Sequence, residues 1–420
     1  MQAARQMPVV RPLPQGGWCG AARAAALARL QAMGLPGRRD EYWRFTDPAR
    51  LLADTVHAAL FNGRETPVFD SIDRLKLVFV DGVFDAAASD DPALAGLEIS
   101  RLADAGQHDI HWARDLYGVL EAGGQMPVPR PLAALNTAYA TDGVMIRATG
   151  RAAKPVSLIY HHKSVSSDVC LHHCIKLEPG ADLTVLENGP AAARLNMVME
   201  VEIGDGAAFH HVRTQGRDHE RLAATHIFAR LGHKSRFRSF TLTANGALTR
   251  NECVIELTGA DASAHVAGAA LGDGTFHQDD TIFITHAAPG CESRQVFKKV
   301  LRNGATGVFQ GKILVKPGAQ KTDGYQISQA LLLDGDAQFL AKPELEIYAD
   351  DVKCSHGSTT GAIDDAALFY LRSRGVPERA AQSLLVLAFL AEAIAEIEDA
   401  GIAADIGERL EGWLARRLKA

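Results

Sequence analysis

A mainly β core flanked by helical segments is the fold class that the sequence predicts, on three observations. Short β-like runs fill the middle of the chain: Val156 to Tyr160, Cys170 to Leu177, Asp182 to Leu186, Met197 to Ile203 and Ala224 to Leu231. Glycine-containing turns separate them, at Gly180, Gly206, Gly246, Gly259, Gly272, Gly304 and Gly335, and several gaps are 13 residues or twice that, as between Gly246 and Gly259 or Gly180 and Gly206. Helical periodicity is confined to the two ends. A recurring strand-turn period fits either stacked coils or a β-sandwich, and the period alone does not choose between them.

Taken in order, Ala21 to Met33 is rich in Ala, Leu and Arg and stops at Gly34, as a helix does. The aromatic turn D-E-Y-W-R-F-T-D-P at 40–48 follows, with Trp43 and Phe45 read as packing residues, and a second helix is expected from Ala49 to Leu60. Leu75 to Phe84 reads as a strand and turn; Trp112 to Glu121 and Pro131 to Tyr139 read as short helices. From about Lys154 the β texture takes over and lasts to about residue 360. Asp364 can then cap a helix that stops at Gly375, Pro377 opens another running to about Asp399, and a last one covers Ala404 to Leu418. The implied organisation is a helical or mixed domain over 1–150, a β core over 151–360 and a helical domain over 361–420.

Composition narrows the function classes. With 47% apolar and 22% charged residues in 420, the chain is of an ordinary globular kind. A net charge of -6 with no concentrated basic stretch excludes a nucleic-acid surface. The longest apolar tract, Leu384 to Ala391, is far below the roughly 20 residues of a membrane span. No apolar leader with a cleavage site opens the chain, so an unprocessed cytoplasmic protein is expected. Six dispersed cysteines are too few for a disulfide scaffold of this size and read as reduced thiols.

Two stretches carry candidate metal chemistry. In L-E-I-Y-A-D-D-V-K-C-S-H-G-S-T-T-G at 345–361, Cys354 and His356 are two residues apart, so an extended backbone points both to one face. Two ligands are half a site, since zinc takes three or four from protein. Either another chain completes it, or Cys354 packs and His356 lies at the surface. In C-L-H-H-C, Cys170, His172 and Cys174 share a strand face and His173 points away, but strand neighbours on one face lie about 6.5–7 Å apart, so the outer two cannot reach one ion without a bend. Inward cysteines beside outward histidines is the alternative. The pairs His161-His162 and His210-His211 diverge on a strand and, unless coils stack them together, read as surface histidines.

Enzyme motifs fail on inspection. The phosphate-loop pattern is broken at Thr306 and Ile313, and neither H-E-x-x-H nor G-x-S-x-G occurs. The pairs Asp279-Asp280 and Asp350-Asp351 could serve as acid and base in a β-helix carbohydrate-active enzyme, the competing hypothesis from a different class.

The combination of Pro343 to Ile347, Asp350 to Gly357, Phe369 to Gly375, Phe309 to Lys312, Ala319 to Thr322, and Ala134 to Asn136 followed by Asp142-Gly143 resembles the SufB/SufD family of iron-sulfur cluster assembly proteins. The resemblance runs through essentially the whole chain, and C-S-H-G with a length of 420 suits the SufD branch better than the longer SufB. It implies a right-handed parallel β-helix core between helical domains. It also implies a scaffold without a turnover site, working with a SufB homologue and the SufC ATPase and reached by a sulfur donor through SufB. Iron, or a transient iron-sulfur cluster shared with SufB, would be the cargo, with reduced flavin an open addition to the complex. By the same resemblance Cys354 and His356 match the functional Cys-x-His, with His356 the iron or cluster ligand at the SufB interface, and 361–420 carries the SufC contact. A structural subunit without metal stands as the alternative within the family.

Overall fold

The computed structural model describes residues 12–14, 17–60, 68–189, 192–216 and 220–417; the start of the chain, where a leader was sought, and Leu418 lie outside the described residues. Strands alternate between two parallel sheets, each strand pairing with the one two places before it and the one two places after it, so the chain winds as a β-solenoid. This is the mainly β, stacked-coil core with flanking helices that the sequence implies, and the parallel register excludes the sandwich. Asp182 pairs with Ala208 and Ala208 with Arg236, so successive coils take 26 and 28 residues; the last, from Asp323 to Lys353, takes 30. The 13-residue gaps are therefore half-coils. Gly180 and Gly206 turn the chain at φ 75° and 66°, where a side chain would be strained, whereas the turns expected at Gly259 and Gly272 bend at Asp261 and Gly274 instead.

Alternate side chains of every strand face the lumen, where Ile175, Val201, Ala229, Ile255 and Ile284 stack into one apolar column. No coil could bury these alone; each covers its neighbour. The opposite faces are not left to water. The helices Gly20–Met33 and Pro131–Tyr139 belong to the segment that covers the nine-stranded sheet, and the helices Glu378–Ile394 and Ala400–Arg417 cover the ten-stranded one through Val386, Leu390, Ile406 and Leu410. Strands covered on both sides lose their polar alternation, which is why Leu222–Leu231 is buried at nine of ten positions.

The aromatic turn is fixed to the outer face of the nine-stranded sheet by charge. Arg250 lies 4.1 Å from the Trp43 ring and donates to Glu252 and Asp279, Thr46 donates to Asp279 at 2.6 Å, and Arg130 pairs with Glu252 at 3.0 Å, all buried. The helix expected over Ala49 to Leu60 does not form. Only Pro48–Arg50 makes a turn of 3-10 helix, after which Leu51 is buried on the sheet and the Ala59 N–H donates to Val165 O in an inter-strand turn, so tertiary contacts draw the segment out.

The lumen also holds a polar track. Glu187 accepts from Tyr160 at 2.7 Å and from Arg213 at 2.6 Å and contacts His211 at 2.7 Å; the track continues through Thr225 and Asn251 to Asp280, which Lys299 meets at 2.6 Å. Burial opposes the charge on Glu187, yet Arg213 and His211 hold its carboxyl far below the usual range. The surface reading of the histidine pairs is thus corrected: His211 is a lumen residue and His162 is buried. Strand parity turns His211 into the lumen, whereas its neighbour His210 stays half-buried on the outer face beside Glu398.

Candidate metal and interface site

The solenoid is blunted at its start and bare at its end. At the start, the short strands Val83–Phe84 and Glu98–Arg101 pair antiparallel with the first coil. At the end, Gln338–Ile347 and Lys353–Gly361 are each the last strand of a sheet, paired on one side only. The backbone groups along their free sides form an unpaired edge.

Cys354 and His356 lie on this edge. Both occupy lumen-side positions of Lys353–Gly361, as the two-residue spacing predicts: Cys354 aligns with Gly324 and His356 with Gln326. Their surroundings differ. Cys354 is half-buried with Ile313, Val315 and Ala349, and burial raises its thiol above the ordinary range. His356 is exposed. One coil inward, the Gln326 amide is fully buried and neither of its polar atoms has a hydrogen-bond partner. Among the described residues, the one cluster of three or more His, Cys, Asp or Glu side chains able to hold a metal lies elsewhere. Among the described residues, no third ligand completes a cluster with this pair.

That other cluster sits on the C-L-H-H-C strand. Cys170, His172 and Cys174 do share the outer face of Asp168–Leu177, and His173 faces the lumen, where Tyr160 is 3.1 Å away and the Val144 N–H donates to it. The alternative of inward cysteines beside outward histidines is overturned: the cysteines point out with His172, and the N-terminal segment covers them. Cys170 is only half-buried and stays apart from the cluster. His172 and Cys174 meet a residue that the sequence reading missed, Glu200, which pairs with Cys174 across the next coil. The 26-residue coil spacing was the signal that could have found it, since 174 and 200 differ by one coil. Burial, followed by the nearby Glu200, pushes the Cys174 thiol well above its ordinary range.

The acid-base pairs do not assemble. Asp279 points outward to Thr46 and Arg250, Asp280 points into the lumen to Lys299, and Asp351 is exposed beside Lys321. Consecutive strand residues face opposite ways, so Asp279 and Asp280 cannot share a substrate, and Asp350 and Asp351 lie in an exposed bend between strands.

After the open edge, the helix Asp365–Ser373 is capped by Asp364, whose carboxylate accepts from the N–H groups of Ala366 and Ala367, and buries none of its residues. Phe369 is 74% and Tyr370 55% exposed there, beside Leu384 at 50% on the next helix. Exposed aromatics grouped in this way mark a contact surface.

Comparison with known proteins adds family context. Residues 160–389 match the family model described as SUF system FeS cluster assembly, SufBD core domain. The chain is 29% identical over 402 residues to the iron-sulfur cluster assembly protein SufD of Escherichia coli, covering 92% of both chains. It is 28% identical to an iron-sulfur cluster assembly SufBD family protein of Synechocystis, over 89% of this chain and 86% of the relative. The Bacillus subtilis SufD is 27% identical over 64% of each.

Proposed function

The chain belongs to the SufBD family of iron-sulfur cluster assembly proteins, and from that premise we propose that it is the SufD-type scaffold subunit of a SUF complex, acting in the cytoplasm. The observation that carries the reading is the open end of the solenoid, where an unpaired strand edge presents Cys354 and His356 together. A SufB homologue adds its own strands to that edge and supplies the remaining ligands to an iron ion or nascent cluster. Neutral imidazole and thiolate both suit iron, and partner binding would further exclude water from Cys354. The SufC ATPase docks on the exposed aromatics of Asp365–Ser373, and its cycle moves the partners against each other. Because the two halves of the coordination sphere lie on different chains, that movement opens or closes it. The chain itself turns nothing over; sulfur arrives through SufB.

A structural subunit without metal is the second reading, favoured by the packing of Cys354 against Ile313 and Val315. Anaerobic reconstitution with iron, sulfide, SufB and SufC, with and without this chain, separates the two. Cluster content that depends on the chain, and falls when His356 is replaced within an intact complex, supports the first. Equal cluster content without the chain ends the assembly role altogether.

A further inference from the structure

We propose that His172, Cys174 and Glu200 form a buried site for one divalent transition-metal ion of the Zn²⁺ type, bridging two neighbouring coils of the solenoid beneath the N-terminal segment. The three side chains are wholly or almost wholly buried, and their ligand atoms lie within 4.8 Å of one another.

The hydrogen bonds around the cluster orient every ligand. The Asn136 amide nitrogen donates to Leu171 O at 3.0 Å and Asn196 O at 2.9 Å, which fixes its oxygen toward His172 Nδ1 at 3.1 Å. Nδ1 must therefore carry the proton, and Nε2 turns its lone pair to Glu200 Oε2 at 2.8 Å. Both oxygens of that carboxylate already accept backbone N–H groups, from Gly118 to Oε2 and from Glu121 to Oε1, as an anion would. Two acceptors so close need a cation between them, either a proton or a metal. Cys174 Sγ, 4.0 Å from the same oxygen, supplies the soft third ligand. One thiolate, one carboxylate and one neutral imidazole bring a divalent ion to zero net charge, the condition under which charge can be buried. Asn136 and the Gly118 N–H then stand as the outer shell that fixes tautomer and carboxylate. A cleft of about 480 Å³ bordered by Cys170, Asn196 and Leu135 reaches the neighbouring residues of the same strands, though not the three ligands themselves.

The test uses the full chain carrying Cys354→Ser and His356→Ala, so that the strand-edge pair contributes nothing. After chelator treatment it is titrated anaerobically with Co²⁺. The expected result is a thiolate-to-cobalt charge-transfer band that saturates near about one equivalent and is displaced by Zn²⁺. Cys174→Ser removes the band, and Asn136→Ala, a positioning change, weakens binding roughly 10–100-fold. Should Cys174→Ser fail to fold, zinc-edge X-ray absorption on the protein with Cys174 intact decides instead: one sulfur among nitrogen and oxygen neighbours is expected. No charge-transfer band, a band that survives Cys174→Ser, or a shell of nitrogen and oxygen alone overturns the proposal and leaves His172 and Glu200 as a hydrogen-bonded pair.

Discussion

Arg213 sits where no water reaches, 3% exposed in the lumen, with Glu187 beside it fully buried. Removing one member of such a pair strands the other, so Arg213→Met is expected to cost roughly 3–5 kcal/mol, read as a lowered denaturation midpoint with an unchanged slope. Substituting both residues by apolar ones should restore much of that loss. At the open edge the expectation is the opposite. His356→Ala removes an exposed side chain, so stability stays within about 0.5 kcal/mol, while iron content in the assembled complex falls. Cys354→Ser lowers iron content as well but also loosens packing against Ile313. If both variants carry normal iron, the edge pair is not the site. How far these residues could be read from sequence follows from distance along the chain. Cys354 and His356 are two apart on a strand, and their shared face needed nothing but strand geometry. Glu200 lies a whole coil from Cys174, and Asn136 reaches the same cluster from a helix on another layer, so no local pattern could join them.

Helices and strands behave differently under the same reading. The helices at Gly20–Met33, Pro131–Tyr139 and Asp365–Ser373 were legible because caps and stops are local: Gly34 at φ 70° ends the first and Asp364 begins the last. Ala49 to Leu60 misled because its helical pattern was overruled by what lay beneath it, a sheet that took Leu51 as packing and an inter-strand turn whose Val165 carbonyl took Ala59 as a hydrogen-bond donor. The C-terminal helices divide by role. Glu378–Ile394 covers the ten-stranded sheet, and the turn that follows it meets a basic row in which Arg294 bonds Glu396 at 2.7 Å and Arg238 bonds Glu398 at 2.8 Å. Leu390 is fully buried there, and Leu390→Ala should destabilise the chain by about 2–5 kcal/mol. Asp365–Ser373 buries nothing of its own, so Phe369→Ala with Tyr370→Ala should leave the melting temperature within a degree or two of the parent and abolish co-purification with SufC. Retention of SufC by that double variant would move the contact elsewhere. Deleting 361–420 outright is the poorer experiment, because it bares Phe240, Leu242 and Val300 to water.

For the molecule as a whole, burial sets the response to acid. His226, His277 and His286 are all held below the ordinary imidazole range chiefly by burial, His286 to about 4. Unfolded, such a group titrates near 6.5. Between those values the unfolded chain binds a proton that the folded chain does not, so stability is complete above about 6.5 and is lost as pH falls toward 4. His286 alone contributes on the order of 3 kcal/mol to that loss. Thermal midpoints should drop over this window, and His286→Gln should flatten the drop; a slope unchanged by the substitution would assign the effect to other groups. The stacking of coils has a further consequence at this scale. One end of the stack is blunted by short antiparallel strands and the other is bare. A rod with two adhesive ends polymerises, whereas a rod with one can only be matched once. Whatever seats itself on the bare end, a SufB homologue or a second copy, uses up the one long unpaired edge among the described residues. Pairing here is self-terminating, and an all-parallel architecture that could otherwise seed a fibre is limited to a couple.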